Sequence, residues 1–196
     1  MVPQRQVAIL AYGSLIADPG TALRPFIVER IPRQTPFPVE FGRASRRWGG
    51  GPVLVPHPAG RPVAGMLLVL RAAVGLGRAV DLLREREGLA GGDGVVEVAM
   101  PGEHQVIAAS LPRNLSAPEM QPEALARRAA ASARTGPRNG VAYLRGLLDV
   151  GIRTPLTDAY AASVMALAGA GSLEEAEGRL VALADPRPGR EVDGLG

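Results

Sequence analysis

Length, composition and charge restrict the protein to a few classes. The chain has 196 residues, 46% of them hydrophobic and 21% charged, which predicts one globular domain and argues against extended disorder. All 22 basic residues are arginine, yet the formal net charge is only +3, so the arginine bias alone does not indicate nucleic-acid binding. The absence of cysteine excludes disulfides, thiolate metal sites and cysteine nucleophiles.

The sequence also argues against a membrane protein. The first ten residues, MVPQRQVAIL, contain too short an apolar run for a signal peptide. No stretch reaches the roughly 18 apolar residues that a membrane span requires. We therefore expect a cytoplasmic protein.

The first part of the chain has strand patterns. Residues 6–12, QVAILAY, form a short continuous apolar run that Gly13 closes, which predicts a buried strand. FIVERI and VEFGRA are weaker extended segments, and the prolines between them exclude a helix interior. Two apolar runs, at 53–55 and 63–70, flank a turn rich in proline and glycine and predict a hairpin.

A helix and a second strand pair follow. The segment AAVGLGRAVDLLREREG predicts one helix that ends at Gly88, with Gly75 and Gly77 weakening its start. Its apolar positions are Val74, Leu76, Val80, Leu82 and Leu83. GVVEVAM and HQVIAASL, joined by the turn PGEH, predict two further paired strands.

The remainder of the chain has helical patterns. Ser116 and Glu119 have capping-box spacing, which predicts the start of a turn or helix. PEALARRAAASAR, GVAYLRGLLDVG and TPLTDAYAASVMALAG predict three helices, and Ser172 can open a fourth. Residues 185–196 are predicted to form a mobile tail. Strands followed by helices, with one helix between strand pairs, predict an α+β fold.

Most familiar catalytic motifs are absent. Ser14 lies in YGSLI, which lacks the second glycine of a nucleophile elbow. His57 and His104 fall in predicted turns without paired carboxylates, so a zinc site is not expected. GGDG and WGGGP lack the strand, loop and helix of a nucleotide site and are predicted to be turns.

Carboxylates and backbone donors are the remaining candidates. Glu85 and Glu87 end the first helix, so one carboxylate can enter a cleft while the other faces water. The negative end of the helix dipole raises the pKa of either group, although a solvated charged helix end is the alternative. A strand that breaks at Gly13 exposes the N–H groups of Gly13, Ser14 and Leu15, which can hold a carboxylate or an oxyanion. An ordinary strand end is again the alternative.

In this order, the segments resemble the γ-glutamylcyclotransferases, most closely the ChaC-type, glutathione-specific branch. LAYGSLI is similar to the Tyr-Gly-Ser-Leu signature of that family, and VEFGRASRRWGGG to a basic segment that ends in an aromatic residue. VLVPHPAGRPVAGMLLVL resembles its strand, glycine turn and strand, and LLREREGLAGG its Arg-Glu pair followed by glycines. Asn139, Tyr143 and Leu144 match its Asn-x-x-x-Tyr-Leu helix. The resemblance covers roughly residues 6–168.

The resemblance implies a fold and an activity. The fold is a small mixed β-barrel flanked by helices, with a helical C-terminal third. The activity is that of a lyase that releases 5-oxoproline from a γ-glutamyl compound and needs neither cofactor nor metal. The catalytic glutamate falls on Glu87, with Glu85 as the alternative register. The substrate-binding residues fall on Tyr12, Gly13, Ser14, Leu15 and Tyr143.

The chain departs from the family pattern at two places. Asp93 stands where the branch has the tyrosine of Gly-Gly-Tyr, and a His-Arg-Gly loop is missing after Trp48. Both changes affect residues that would select the substrate. A glutathione preference is therefore not implied, and other γ-glutamyl peptides and amines remain open.

The mechanism that follows is intramolecular aminolysis. Glu87 transfers a proton from the substrate α-ammonium to the leaving amine, and Arg46 or Arg47 can bind the substrate α-carboxylate. Two alternatives compete with this reading. One is a catalytically silent module that binds a γ-glutamyl or other small ligand, and the other is a nucleic-acid-binding domain that uses Arg43, Arg46, Arg47 and Trp48.

Overall fold

The computed structural model describes residues 5–89 and 94–183. Its strands and helices, in chain order, are β1 (Val7–Ala11), β2 (Ile27–Gln34), β3 (Val39–Ser45), β4 (Gly51–Pro56), β5 (Ala64–Leu70), α1 (Leu76–Glu87), β6 (Val95–Val98), β7 (Gln105–Ala109), α2 (Pro122–Ala133), α3 (Gly140–Asp149), α4 (Thr157–Ala168) and α5 (Leu173–Ala182). Four short 3-10 turns lie at Gly13–Leu15, Arg24–Phe26, Arg46–Trp48 and Pro118–Met120. The predicted tail, 185–196, lies outside the described residues.

Five strands form one mixed sheet in the order β2-β5-β1-β7-β6. β1 lies at its centre, antiparallel to β5 and parallel to β7, with Ile9 opposite Leu68 on one side and Ile107 on the other. Every residue of β1 is buried, which explains why its sequence is continuously apolar. The predicted strand at 6–12 and the predicted pairing of β6 with β7 are both confirmed.

The predicted hairpin of 53–55 with 63–70 is wrong, although both strands exist. β4 pairs with β3 in a separate two-stranded sheet, whereas β5 pairs with β1 and β2. Leu67, Leu68, Val69 and Leu70 are all buried, because β5 is an interior strand of the larger sheet. The segment between β4 and β5 therefore connects two sheets instead of forming a hairpin turn.

The structure is α+β, as predicted, but the described residues do not form the closed barrel that the resemblance implied. The larger sheet ends at β2 and β6. β2 is mostly exposed and contains Pro32, which has no N–H group to donate to a further strand. β6 is only four residues long, and a short edge strand offers little backbone for closure.

The helices follow the predicted signals closely. α1 begins at Leu76 with Gly75 as its N-cap and ends at Glu87, and the predicted stop residue Gly88 is its C-cap with a φ of 68°. Glu119 accepts hydrogen bonds from the backbone N–H and Oγ of Ser116 at 2.9 and 2.7 Å, and the predicted turn is present as a 3-10 turn before α2, with Ala117 as its N-cap.

The core is divided by the larger sheet. Val7, Ile9 and Ala11 of β1 pack with α1 on one face, while Ala8 and Leu10 belong to an apolar cluster on the other face. A third cluster joins α2, α3, α4 and α5 to the β3–β4 sheet. Because side chains alternate along a strand, Tyr12 follows Leu10 on the face away from α1.

Candidate functional site

A cavity of about 500 Å³ lies where β1 ends, bounded by the larger sheet, the end of α1, the β3–β4 sheet and α3. The sequence predicted seven site residues, and all except Gly13 line this cavity. They are Tyr12, Ser14, Leu15, Arg46, Glu87 and Tyr143. These residues come from distant parts of the chain, so the fold brings together most of the predicted set.

Glu87 is the last residue of α1, and only 14% of its side chain is exposed. Its Oε1 accepts a hydrogen bond from Nη1 of Arg86 at 3.1 Å. Burial raises the pKa of the Glu87 carboxyl, and the positive charges of Arg86 and Arg47 oppose that rise. Glu85, the alternative candidate, is exposed and does not line this cavity. Glu87 is thus the partly desolvated carboxylate of the two.

Gly13 stands next to the cavity and shapes its wall. Its φ is +81°, a conformation that favours glycine, and a Cβ atom there would lie 2.6 Å from the hydroxyl oxygen of Tyr143. A helical turn leaves its first N–H groups without partners inside the turn, and Gly13 and Ser14 hold those positions in the turn Gly13–Leu15. Glycine at this position therefore permits both the backbone conformation of the turn and the close approach of the Tyr143 hydroxyl.

Two tyrosines contribute hydroxyl groups with different environments. The Tyr12 hydroxyl donates to the carbonyl of Ala109 at 2.5 Å, and burial raises its pKa. The Tyr143 hydroxyl accepts from the N–H of Leu54 at 3.1 Å, and burial raises its pKa as well. Within residues 5–89 and 94–183, the Tyr143 hydroxyl has no hydrogen-bond acceptor for its own proton. Because Tyr143 lines the cavity, its hydroxyl is a candidate donor to a ligand.

Three arginines give the cavity a positive wall. Arg43 donates to the carbonyl of Pro112 and Arg47 to the carbonyl of Arg86, both at 2.6 Å. The exposed Arg46 side chain makes no hydrogen bond or ion pair within the described part of the chain. Glu87 is the only acidic residue among the described lining residues. The arrangement suits a ligand that carries more negative than positive charge.

The residues of the nucleic-acid alternative take part in this cavity. Arg43, Arg46, Arg47 and Trp48 all line it. The Trp48 ring packs edge-on against Tyr143, with ring centroids 5.0 Å apart. Arg43 lies near the end of β3 and the other three form the 3-10 turn after it, so all four border the concave surface of the cavity.

Two residues beside the candidate site, Arg86 and Asn114, were not among the predicted site residues. Arg86 is buried and bonds to the Ser14 side chain as well as to Glu87. Its position three and four residues after Leu83 and Leu82 puts it on the apolar face of α1, which is a signal that helical periodicity contains. The Asn114 side chain bonds to the N–H and carbonyl of Ala44 at the cavity wall, and no sequence signal marked it.

The other sequence candidates lie elsewhere. His57 follows β4 and accepts a hydrogen bond from the N–H of Ala59, and His104 precedes β7. Neither histidine lines the cavity. No group of three histidine, aspartate or glutamate side chains in the described ranges is placed to hold a metal ion. Gly49 and Gly50 have positive φ values and form the predicted turn. Of GGDG, only Gly94 falls within the described residues, so Asp93 lies outside them.

Comparison with known proteins gives no relative. The chain matches no protein-family model, no curated protein and no solved structure. The resemblance stated from the sequence therefore stays a prediction. In the described part of the chain, none of the helices has the length and apolar character needed to cross a membrane.

Proposed function

We propose that the protein is a γ-glutamylcyclotransferase-type lyase, which cyclises the γ-glutamyl group of a small molecule to 5-oxoproline. The observation that carries the proposal is the position of Glu87. It is the one described carboxylate in a cavity otherwise lined by arginine, tyrosine, uncharged polar and apolar side chains, and it is 14% exposed. The described active-site residues include a proton acceptor and several anion-binding groups.

The charges of the cavity fit the γ-glutamyl head of a substrate. That head carries an α-carboxylate and an α-ammonium group on the same carbon atom. Arg46, which has no partner within the described ranges, offers a guanidinium for the carboxylate, and Glu87 offers a carboxylate for the ammonium. The two opposite charges of the head thereby meet opposite charges in the wall.

Glu87 has the character of a proton shuttle. The ammonium must lose a proton before its nitrogen attacks the γ-carbonyl carbon, and the leaving amine must gain one as the C–N bond breaks. One carboxylate performs both transfers, because the proton that it accepts is the proton that it returns. Burial raises its pKa toward the pH of the reaction, which makes it a better acceptor and leaves it able to donate.

The tetrahedral intermediate also needs donors for its oxyanion. The N–H groups of Gly13 and Ser14 at the start of their turn, and the hydroxyl of Tyr143, are candidate donors at or next to the cavity. One such donor is worth about 2.7 to 4 kcal/mol in other enzymes. The nucleophilic amine and the carbonyl belong to one molecule. Binding the substrate in the conformation that brings these two groups together therefore supplies much of the remaining rate acceleration.

A product screen tests the proposal. Purified protein is incubated with γ-glutamyl dipeptides, glutathione and γ-glutamyl amines, and 5-oxoproline is quantified by mass spectrometry. We expect release from at least one compound and loss of that release in Glu87→Gln. If no compound of the panel forms 5-oxoproline while one of them raises the melting temperature, the result would contradict catalysis and favour the silent binding module.

A further inference from the structure

Arg86 makes an unusual set of contacts for an arginine on a helix. Only 2% of its side chain is exposed. Its Nε and Nη2 donate to the backbone carbonyl of Asp18 at 3.1 and 2.8 Å, and Nη2 also donates to Oγ of Ser14 at 3.1 Å. Its Nη1 donates to Oε1 of Glu87 at 3.1 Å. One guanidinium thus contacts both the turn after β1 and the carboxylate at the end of α1.

The pairing of Arg86 with Glu87 is not a product of helix geometry alone. Adjacent residues on a helix do not face each other, so the two side chains must converge from different directions. A buried guanidinium also loses its hydration and needs partners that replace it. The carbonyl of Asp18 and the hydroxyl of Ser14 supply those partners, and they belong to the loop after β1, from which Ser14 and Leu15 line the cavity.

We propose that Arg86 is a positioning residue, whose buried guanidinium joins the Ser14–Asp18 loop to the carboxylate of Glu87 and so fixes the two sides of the reaction site relative to each other. This inference rests on the proposed function for its effect on turnover. It assigns Arg86 no contact with substrate. It predicts that both the charge and the forked shape of the guanidinium are required.

The charge of Arg86 acts on Glu87 within a defined set of neighbours. The groups that face Glu87 are Arg86 on its own helix, Arg47 from the turn after β3, Tyr12 at the end of β1 and Tyr143 on α3. Arg86 and Arg47 are the two cations, and both favour the ionised carboxylate. Loss of the Arg86 charge therefore raises the pKa of Glu87, so less of the base form is present at neutral pH.

Three variants separate charge from geometry. Arg86→Gln removes the charge, Arg86→Lys keeps a charge but loses the fork, and Arg78→Gln is the control because Arg78 is an exposed residue of the same helix. The Glu87 carboxyl is titrated by carbon-13 NMR, with its signal assigned from Glu87→Gln. The pH profile of kcat/KM and kcat itself are measured on a substrate found in the screen.

We expect Arg86→Gln to move the Glu87 titration and the acidic limb of kcat/KM to higher pH. We expect Arg86→Lys to leave both near their wild-type positions while kcat falls about 100-fold, the size of effect that a misplacement of about 1 Å produces. Arg78→Gln should match wild type in every measurement. An unchanged Glu87 titration in Arg86→Gln, or a wild-type kcat in Arg86→Lys, would overturn the inference.

The two proposals fail in different ways. If Arg86→Gln does not fold, Arg86→Lys still decides the positioning role through kcat. If wild-type protein forms no 5-oxoproline from any compound, the proposed function fails. The NMR titration, which needs no turnover, then decides alone whether Arg86 governs Glu87.

Discussion

At the scale of single residues, the proposed role of Glu87 predicts the pH dependence of the proposed activity. Burial raises the pKa of its carboxyl above the ordinary value, and the base form is lost as the pH falls through that raised pKa. We therefore predict that kcat/KM falls on the acidic side along a one-proton limb whose midpoint exceeds the ordinary glutamate pKa. Glu85→Gln is the control, since Glu85 is exposed and should leave the limb in place. A profile that stays flat down to the ordinary glutamate pKa would contradict this role.

Two buried tyrosines provide a matched test of hydroxyl function. In Tyr143→Phe the buried N–H of Leu54 loses its acceptor, which should lower the free energy of unfolding by about 1 to 3 kcal/mol and reduce kcat/KM. The Tyr160 hydroxyl is buried without a hydrogen-bond partner among the described residues. Tyr160→Phe should therefore leave stability unchanged or raise it by up to about 1 kcal/mol, with activity intact. Urea unfolding and initial rates measure both effects, and equal destabilisation in the two variants would refute the distinction.

At the scale of elements, the N-cap of α3 holds a site residue in place. Oδ1 of the buried Asn139 accepts from the N–H groups of Val141 and Ala142, both at 2.9 Å, and Tyr143 lies in the same first turn. Asn139→Ala should lower the free energy of unfolding by about 1 to 2 kcal/mol and also lower kcat. The control is Ser172→Ala at the exposed N-cap of α5, which should lose about 0.5 to 1 kcal/mol without a change in kcat. Equal kcat in both variants would contradict the link between this cap and the site.

Helices and strands that are marked by neighbouring residues were predictable from the sequence. Which strand pairs with β4 was not. Gly88 and Ser172 mark helix ends by conformations and hydrogen bonds that involve only neighbouring residues, so the end of α1 and the start of α5 were predicted close to where they are observed. The partner of β4 depends on which apolar surfaces meet in three dimensions. A turn with proline and glycine therefore predicted a hairpin with β5, where the fold instead pairs β4 with β3. The predicted closed barrel was wrong for the same reason. Whether a sheet closes depends on how its edge strands, here β2 and β6, pair in three dimensions.

At the scale of the whole molecule, the cavity exists because two layers meet without filling the space between them. The close approach of β4 to α3 is possible because both carry glycine there. A Cβ atom on Gly51 would lie 2.6 Å from the Cα of Gly140, and one on Gly140 would lie 2.9 Å from Pro52. This contact brings α3, with Tyr143, toward the end of β1. The cavity is thus a consequence of packing between distant segments.

The same packing explains which of the candidate site residues could be predicted from the sequence. Tyr12, Ser14, Leu15, Glu87 and Tyr143 were identified through short motifs, and the fold brings them around one cavity. Arg86 was missed as a site residue because its role depends on the Asp18 carbonyl and the Ser14 hydroxyl, which lie far from it in sequence. A motif can indicate that a residue is special, but only the fold shows which atoms surround it.

The most direct test of the account compares 5-oxoproline release by wild type, Glu87→Gln and Glu85→Gln, with thermal shift measured on the same γ-glutamyl compound. Because Glu87 is the proposed proton carrier, the account predicts that wild type and Glu85→Gln release 5-oxoproline at similar rates. Glu87→Gln should release none, while its melting temperature still rises with the ligand. Release by Glu87→Gln at the wild-type rate would contradict the account.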